Sequence, residues 1–86
     1  MKYDFAVFGA TGLQGRIASK DLLWNGYSVL LCGRDKSRVE DLLKKYPGRT
    51  GFEYIEAQDV KLMTNVLKKS GANVVVNCVE GDYNLN

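Results

Sequence analysis

The chain has 86 residues, which makes one domain at most, with a core of modest size. Its 45% hydrophobic and 26% charged residues are the composition of an ordinary globular protein, and a net charge of +2 without basic runs makes no case for nucleic acid. Histidine is absent and there are two cysteines, which argues against a zinc site of the usual ligand set.

The first element is a strand over Tyr3–Gly9, "YDFAVFG". Its apolar run is too short for a signal peptide or a membrane span. The cysteines accordingly read as reduced thiols of a cytoplasmic protein. Leu13–Asn25 has the length of a helix and stops at Gly26. Its expected sheet-facing stripe runs through Gly15, Ser19, Leu22 and Gly26. That leaves Trp24 partly buried, either over the neighbouring chain or against another domain or partner. Tyr27–Cys32 is a second strand. Lys36–Tyr46 reads as one helix, capped by Asp35 or Ser37, with Ser37 and Glu40 fitting a capping box. Pro47 and Gly48 end it. Phe52–Ala57 is a third strand. Val60–Ser70 is a third helix between Asp59 and Gly71. Asn73–Val79, with its unbroken valines, reads as a fourth strand covered on both faces.

The order β-α-β-α-β-α-β implies an α/β fold with a parallel sheet. Right-handed crossovers in a doubly wound arrangement then give the strand order 3-2-1-4. Cys32 and Cys78 fall two strand spacings apart in that order, beyond disulfide reach.

Between the first strand and first helix lies "GATGLQG". Its glycines Gly9, Gly12 and Gly15 are three residues apart and stand where a dinucleotide fingerprint must stand. The first makes a tight turn, the second admits a pyrophosphate to the backbone, and the third lets helix pack on strand. The helix amino terminus offers N–H groups to the phosphate. The two-residue first gap departs from the strict G-x-G-x-x-G of NAD dehydrogenases. The alternative is a glycine turn that only packs helix on sheet.

At the end of the second strand, an acid would bind the ribose hydroxyls and repel a 2′-phosphate. The chain has Cys32-Gly33-Arg34 there, with Lys36 and Arg38 close by and Asp35 diluting their charge. Arginine suits a phosphate clamp, so NADP(H) is expected over NAD(H); otherwise Arg34 is a solvated loop residue. Asp59 and Val60 follow the third strand beside the adenine edge. Asp59 either accepts from the adenine amino group or caps the helix. Asn77, Cys78 and Val79 end the fourth strand at the switch point where ligands bind. Cys78 there is a reactive thiol or small apolar filling.

The segments "VFGATGLQGR", "LLCGRDKSRVEDL" and "VVVNCVEGDYNLN" together resemble the amino-terminal part of the saccharopine dehydrogenase-like family. Atypical short-chain dehydrogenase families share the first two. The resemblance implies a Rossmann domain in which Gly9, Thr11, Gly12, Leu13 and Gln14 line the pyrophosphate. It further implies that Arg34 meets the 2′-phosphate and that Asn77, Cys78 and Val79 lie along the cofactor. Members of this family oxidise or reduce amino-acid-type substrates with NAD(P), using a second domain. On this reading residues 1–86 are a truncated dinucleotide-binding domain, inactive by itself and without its substrate domain. A non-catalytic NADP sensor and an epimerase-type enzyme are the alternatives. With the fourth strand as a bare apolar edge, the chain is expected to self-associate as a homo-oligomer.

Overall fold

The computed structural model describes residues 3–55, 60–72 and 74–78. The strands are β1 (Phe5–Phe8), β2 (Val29–Gly33), β3 (Thr50–Tyr54) and β4 (Val74–Asn77). The helices are α1 (Leu13–Trp24), α2 (Glu40–Lys45) and α3 (Val60–Ser70), with a 3-10 turn over Lys36–Val39 before α2. All the strand pairs are parallel and the order is β3-β2-β1-β4, as the sequence implied.

The alternation of side chains along a strand sorts the core into two layers. Val7 of β1 and Val29 and Leu31 of β2 share one cluster with Leu23, Val39 and Leu42 from the α1 and α2 side. Ala6 and Phe8, with Leu30 and Cys32, share the other with Ile55 and Val66. Chain connectivity explains the split. β1 to β2 to β3 steps one way across the sheet and β3 to β4 steps back, so right-handed crossovers put α3 on the opposite face. Val29 to Gly33 is buried throughout because β2 is covered on both sides.

Several details differ from expectation. Along α1 the buried residues are Gly15, Ser19 and Leu23, whereas Leu22 is half-buried and Gly26 exposed. The buried face is centred on Ser19, and the residue one full turn on is Leu23. Trp24, next to it, is 77% exposed, more than the partial burial expected. Gly26 still ends the helix at φ 93°, its N–H donating to the Leu23 carbonyl.

The helix expected over Lys36–Tyr46 is broken in two. Asp35 accepts hydrogen bonds from the N–H and Oγ of Ser37, and Arg38 N–H donates to the Asp35 carbonyl, a three-residue turn. Asp35 is therefore the cap, and the N-cap of the α-helical part is Val39 rather than a capping-box serine. β3 starts earlier than Phe52 because Val29 N–H donates to the Arg49 carbonyl and pulls Thr50 and Gly51 into register with β2. Gly51 admits Tyr3, whose hydroxyl lies 2.2 Å from where a Cβ would stand. The expected strand ends at Ala57, Asn73 and Val79 and the Asp59 cap fall outside the described residues.

Among the described strands β4 is the outer one, next to β1, and Val74 and Val75 are 46% and 42% exposed, so this valine run is not the doubly covered strand it resembles. Cys32 and Cys78 are not joined by a disulfide. No described helix is long and apolar enough to cross a membrane.

Candidate functional site

The loop after β1 is built around the Gly9 carbonyl. Gly9 has φ 80°, a conformation that favours glycine, and turns the chain sharply out of the strand. Its own N–H and that of Ala10 both donate to the Cys32 carbonyl, so the turn stays tied to the end of β2. The Gly9 carbonyl then accepts from Gly12 N–H at 3.0 Å. The same carbonyl faces Gly15: a Cβ there would stand 2.0 Å from the Gly9 oxygen. The third glycine is thus required by backbone contact, and α1 begins flush against the strand end. Ser19 Oγ donates back to the Gly15 carbonyl at 2.7 Å and is buried with it.

Gly12 is the N-cap of α1, and no side chain makes a capping hydrogen bond there. First-turn amides have no partner within a helix, and the dipole leaves that end partly positive. Leu13 is 70% exposed and Gln14 is exposed, both at this open end.

The carboxyl ends of three strands meet at the loop. Phe8 pairs with Cys32 on one side and Asn77 on the other, and Cys78 N–H donates to the Phe8 carbonyl at 2.8 Å. Gly33 lies against Thr11, whose Oγ1 would be 2.7 Å from an added Cβ. Gly9, Thr11, Gly12, Gly15, Asn77 and Cys78 are therefore neighbours at the carboxyl end of the sheet. Arg34 follows Gly33 immediately and is exposed, as are Asp35, Lys36 and Arg38. Arg38 Nε stands 3.7 Å from Asp35 Oδ2, so part of the local positive charge is answered within the turn. Hydrogen bonds from Ser37, before the Arg38 charge, hold the Asp35 carboxyl below its ordinary range. Val60 opens α3. Asp59 and Val79 lie outside the described residues.

Burial, reinforced by the Glu53 charge, pushes the Cys32 thiol up to about 12, which makes it a poor nucleophile. Two residues to which the sequence reading gave no role stand out. Arg16, just beyond Gly15, forms a two-pronged ion pair with Asp41. Gly33 leaves the space that Thr11 fills. The glycine next to Arg34 was visible in the sequence, but the Arg16–Asp41 pair spans 25 positions and carries no local signal. A separate groove of about 440 Å³ between α1 and α2, lined by Ile17, Trp24 and Tyr46 among others, shares no residue with the glycine loop.

A parallel 3-2-1-4 sheet with this loop at the end of β1 defines a Rossmann-like α/β fold. Neither a protein-family model nor a curated protein matches the chain. Solved structures do. A short-chain dehydrogenase from Streptomyces avermitilis superposes with a TM-score of 0.72 at 22% identity, over 87% of this chain and 30% of that one. Serine dehydrogenase from Escherichia coli gives 0.69 at 16% identity, over 83% and 35%. A closed form of serine dehydrogenase complexed with NADP+ gives 0.68 at 14%, over 83% and 31%. At these identities the likeness is one of fold. The chain spans about a third of the length of these neighbours. Their names belong to short-chain and serine dehydrogenases, and the resemblance to the saccharopine dehydrogenase-like family finds no support among them.

Proposed function

We propose that this chain provides the pyrophosphate-binding part of a dinucleotide-binding domain, serving an NADP-linked oxidoreductase. The observation that carries the reading is the loop itself. Gly9 turns at φ 80° and Gly15 sits against its carbonyl, so the uncapped end of α1 is presented at the strand ends. Gly9, Thr11, Gly12, Leu13, Gln14 and Gly15 take the pyrophosphate. Asn77, Cys78 and Val79 border the ribose and pyrophosphate, and Asp59 and Val60 flank the adenine. Arg34 clamps the 2′-phosphate, with Lys36 and Arg38 adding charge and Asp35 ordering the turn. A fold neighbour complexed with NADP+ supports the cofactor class.

An amino-acid-type substrate is the finer part of the proposal and rests on the sequence segments; a neighbour named for serine is in keeping with it. The chemistry then falls to a substrate domain outside these residues. We place the chain in the cytoplasm, associating with a second copy along the open edge of β4.

The test is calorimetric titration of the chain with NADPH and NADH. Arg34→Ala removes a charge-assisted hydrogen bond of about 1.5–3 kcal/mol, so NADPH should bind roughly tenfold to a hundredfold more weakly and NADH nearly unchanged. Equal losses for both dinucleotides, or no binding of either, would overturn the assignment.

A further inference from the structure

Arg16 ties the glycine-loop helix to the segment after β2. Its guanidinium forks onto both carboxylate oxygens of Asp41, with Nη1 2.7 Å from Oδ1, and Nη1 also donates to the Arg38 carbonyl at 2.8 Å. The segment so held, Arg34 to Asp41, is otherwise kept in shape by the local bonds of Asp35 to Ser37 and Arg38, and by burial of Val39. One side chain in the first turn of α1 therefore reaches both the end of the 3-10 turn and the first turn of α2.

We propose that the Arg16–Asp41 fork is a positioning brace. It fixes the separation between the glycine loop and the Arg34–Arg38 turn, and so sets how well the chain distinguishes a 2′-phosphorylated dinucleotide from an unphosphorylated one. The inference rests on the function proposed above. A ligand held at two phosphate sites has a fixed span, and a misplacement of about 1 Å between its two anchors weakens recognition severely. An arginine fork is directional where a lysine is a point charge, so Arg16 holds an angle as well as a distance. Exposed ion pairs contribute little to global stability, so the effect belongs in the ligand rather than in folding.

The sign of the response separates a brace from plain electrostatics. Asp41→Asn removes a negative charge, which on charge alone would favour an anionic ligand. A brace predicts the opposite. Arg16→Lys keeps the charge and loses the fork. The experiment titrates the chain and these two variants with NADPH and NADH, alongside Arg34→Ala, and follows amide hydrogen exchange without cofactor. Both brace variants should bind NADPH about three- to tenfold more weakly, with NADH changed by less than about twofold, and should exchange faster at the Ser37 and Arg38 amides. NADPH binding that is unchanged or tighter in Asp41→Asn overturns the positioning role, and so does unaltered exchange. If Arg34→Ala weakens both dinucleotides alike, the cofactor reading fails, whereas the exchange rates still decide whether the brace exists.

Discussion

Replacing Gly15 by alanine adds one methyl group at the tightest backbone contact described. Its Cβ would stand 2.0 Å from the Gly9 oxygen, 2.6 Å from the Gly9 carbon and 2.8 Å from the Ala10 Cα. Non-bonded heavy atoms rest about 3.5 Å apart, so α1 must retreat by roughly 1 Å or more. The Gly9 carbonyl cannot swing aside cheaply, because it accepts from Gly12 N–H and belongs to a residue held at φ 80°. Overpacking of this kind costs about 1–3 kcal/mol, and the upper half applies where every opposing atom is backbone. Alanine recovers about 1 kcal/mol of helix propensity, leaving a net loss of about 1–2 kcal/mol. For a domain of this size that lowers Tm by about 5–15 °C. Urea and thermal unfolding followed by circular dichroism measure it. A Gly15→Ala chain as stable as the wild type, or more so, would refute the claim that α1 is seated on the Gly9 carbonyl.

Gly33→Ala meets Thr11 Oγ1 at 2.7 Å and Cγ2 at 2.8 Å, whereas the Thr11 Cβ is 3.3 Å away. It should cost about 1 kcal/mol by itself and most of that should return in the Thr11→Ala double variant, measured by a double-mutant cycle in urea. Leu23 is fully buried and Trp24 is 77% exposed. Leu23→Ala should therefore cost about 2–5 kcal/mol, while Trp24→Ser stays within about 0.5 kcal/mol; comparable losses would contradict the orientation of α1. Arg16 lowers the Asp41 carboxyl from 3.8 to about 2, first by hydrogen bonding and then by charge. A folded-state value below the unfolded one adds stability that is present above about pH 4 and lost as the pH falls toward 2. The stability difference between wild type and Asp41→Asn should be under about 1 kcal/mol near neutrality, because the pair is exposed, and should vanish only below about pH 2 in acid titrations.

The sheet was legible in the sequence because its causes are local. Apolar runs such as Val29–Cys32, punctuated by Gly26 and the Gly33–Arg34 exit, announce strands, and strands alternating with helices leave few topologies. The loop was legible because each glycine sits at a fixed offset from a strand and a helix. What escaped depends on contacts distant in sequence or on small differences of angle. Leu22 and Leu23 are both apolar, and only the position of Ser19 against the sheet decides which is fully buried. The break at Val39 follows from Asp35 taking the Ser37 amide and hydroxyl, a contest the capping-box pattern with Glu40 does not register. The fork between Arg16 and Asp41 needs the helix and the turn to be side by side first. The open face of Val74 and Val75 is set by what lies beside β4, which their apolar character does not reveal.

The place of β1 in the sheet also orders the steps by which the chain folds. Phe5 pairs with Val29 across 24 positions (29 minus 5) and with Val74 across 69 positions (74 minus 5). Closing the longer loop carries about 0.9 kcal/mol more chain entropy if nothing has formed in between. Once β1, α1 and β2 have assembled, much of that span is already shortened. During synthesis from the amino terminus, β1 emerges before β4, and one of its hydrogen-bonding edges stays vacant until residue 74 emerges. The nascent chain thus carries an open strand edge until β4 emerges, and chaperone contact or mispairing would act there before β4 arrives.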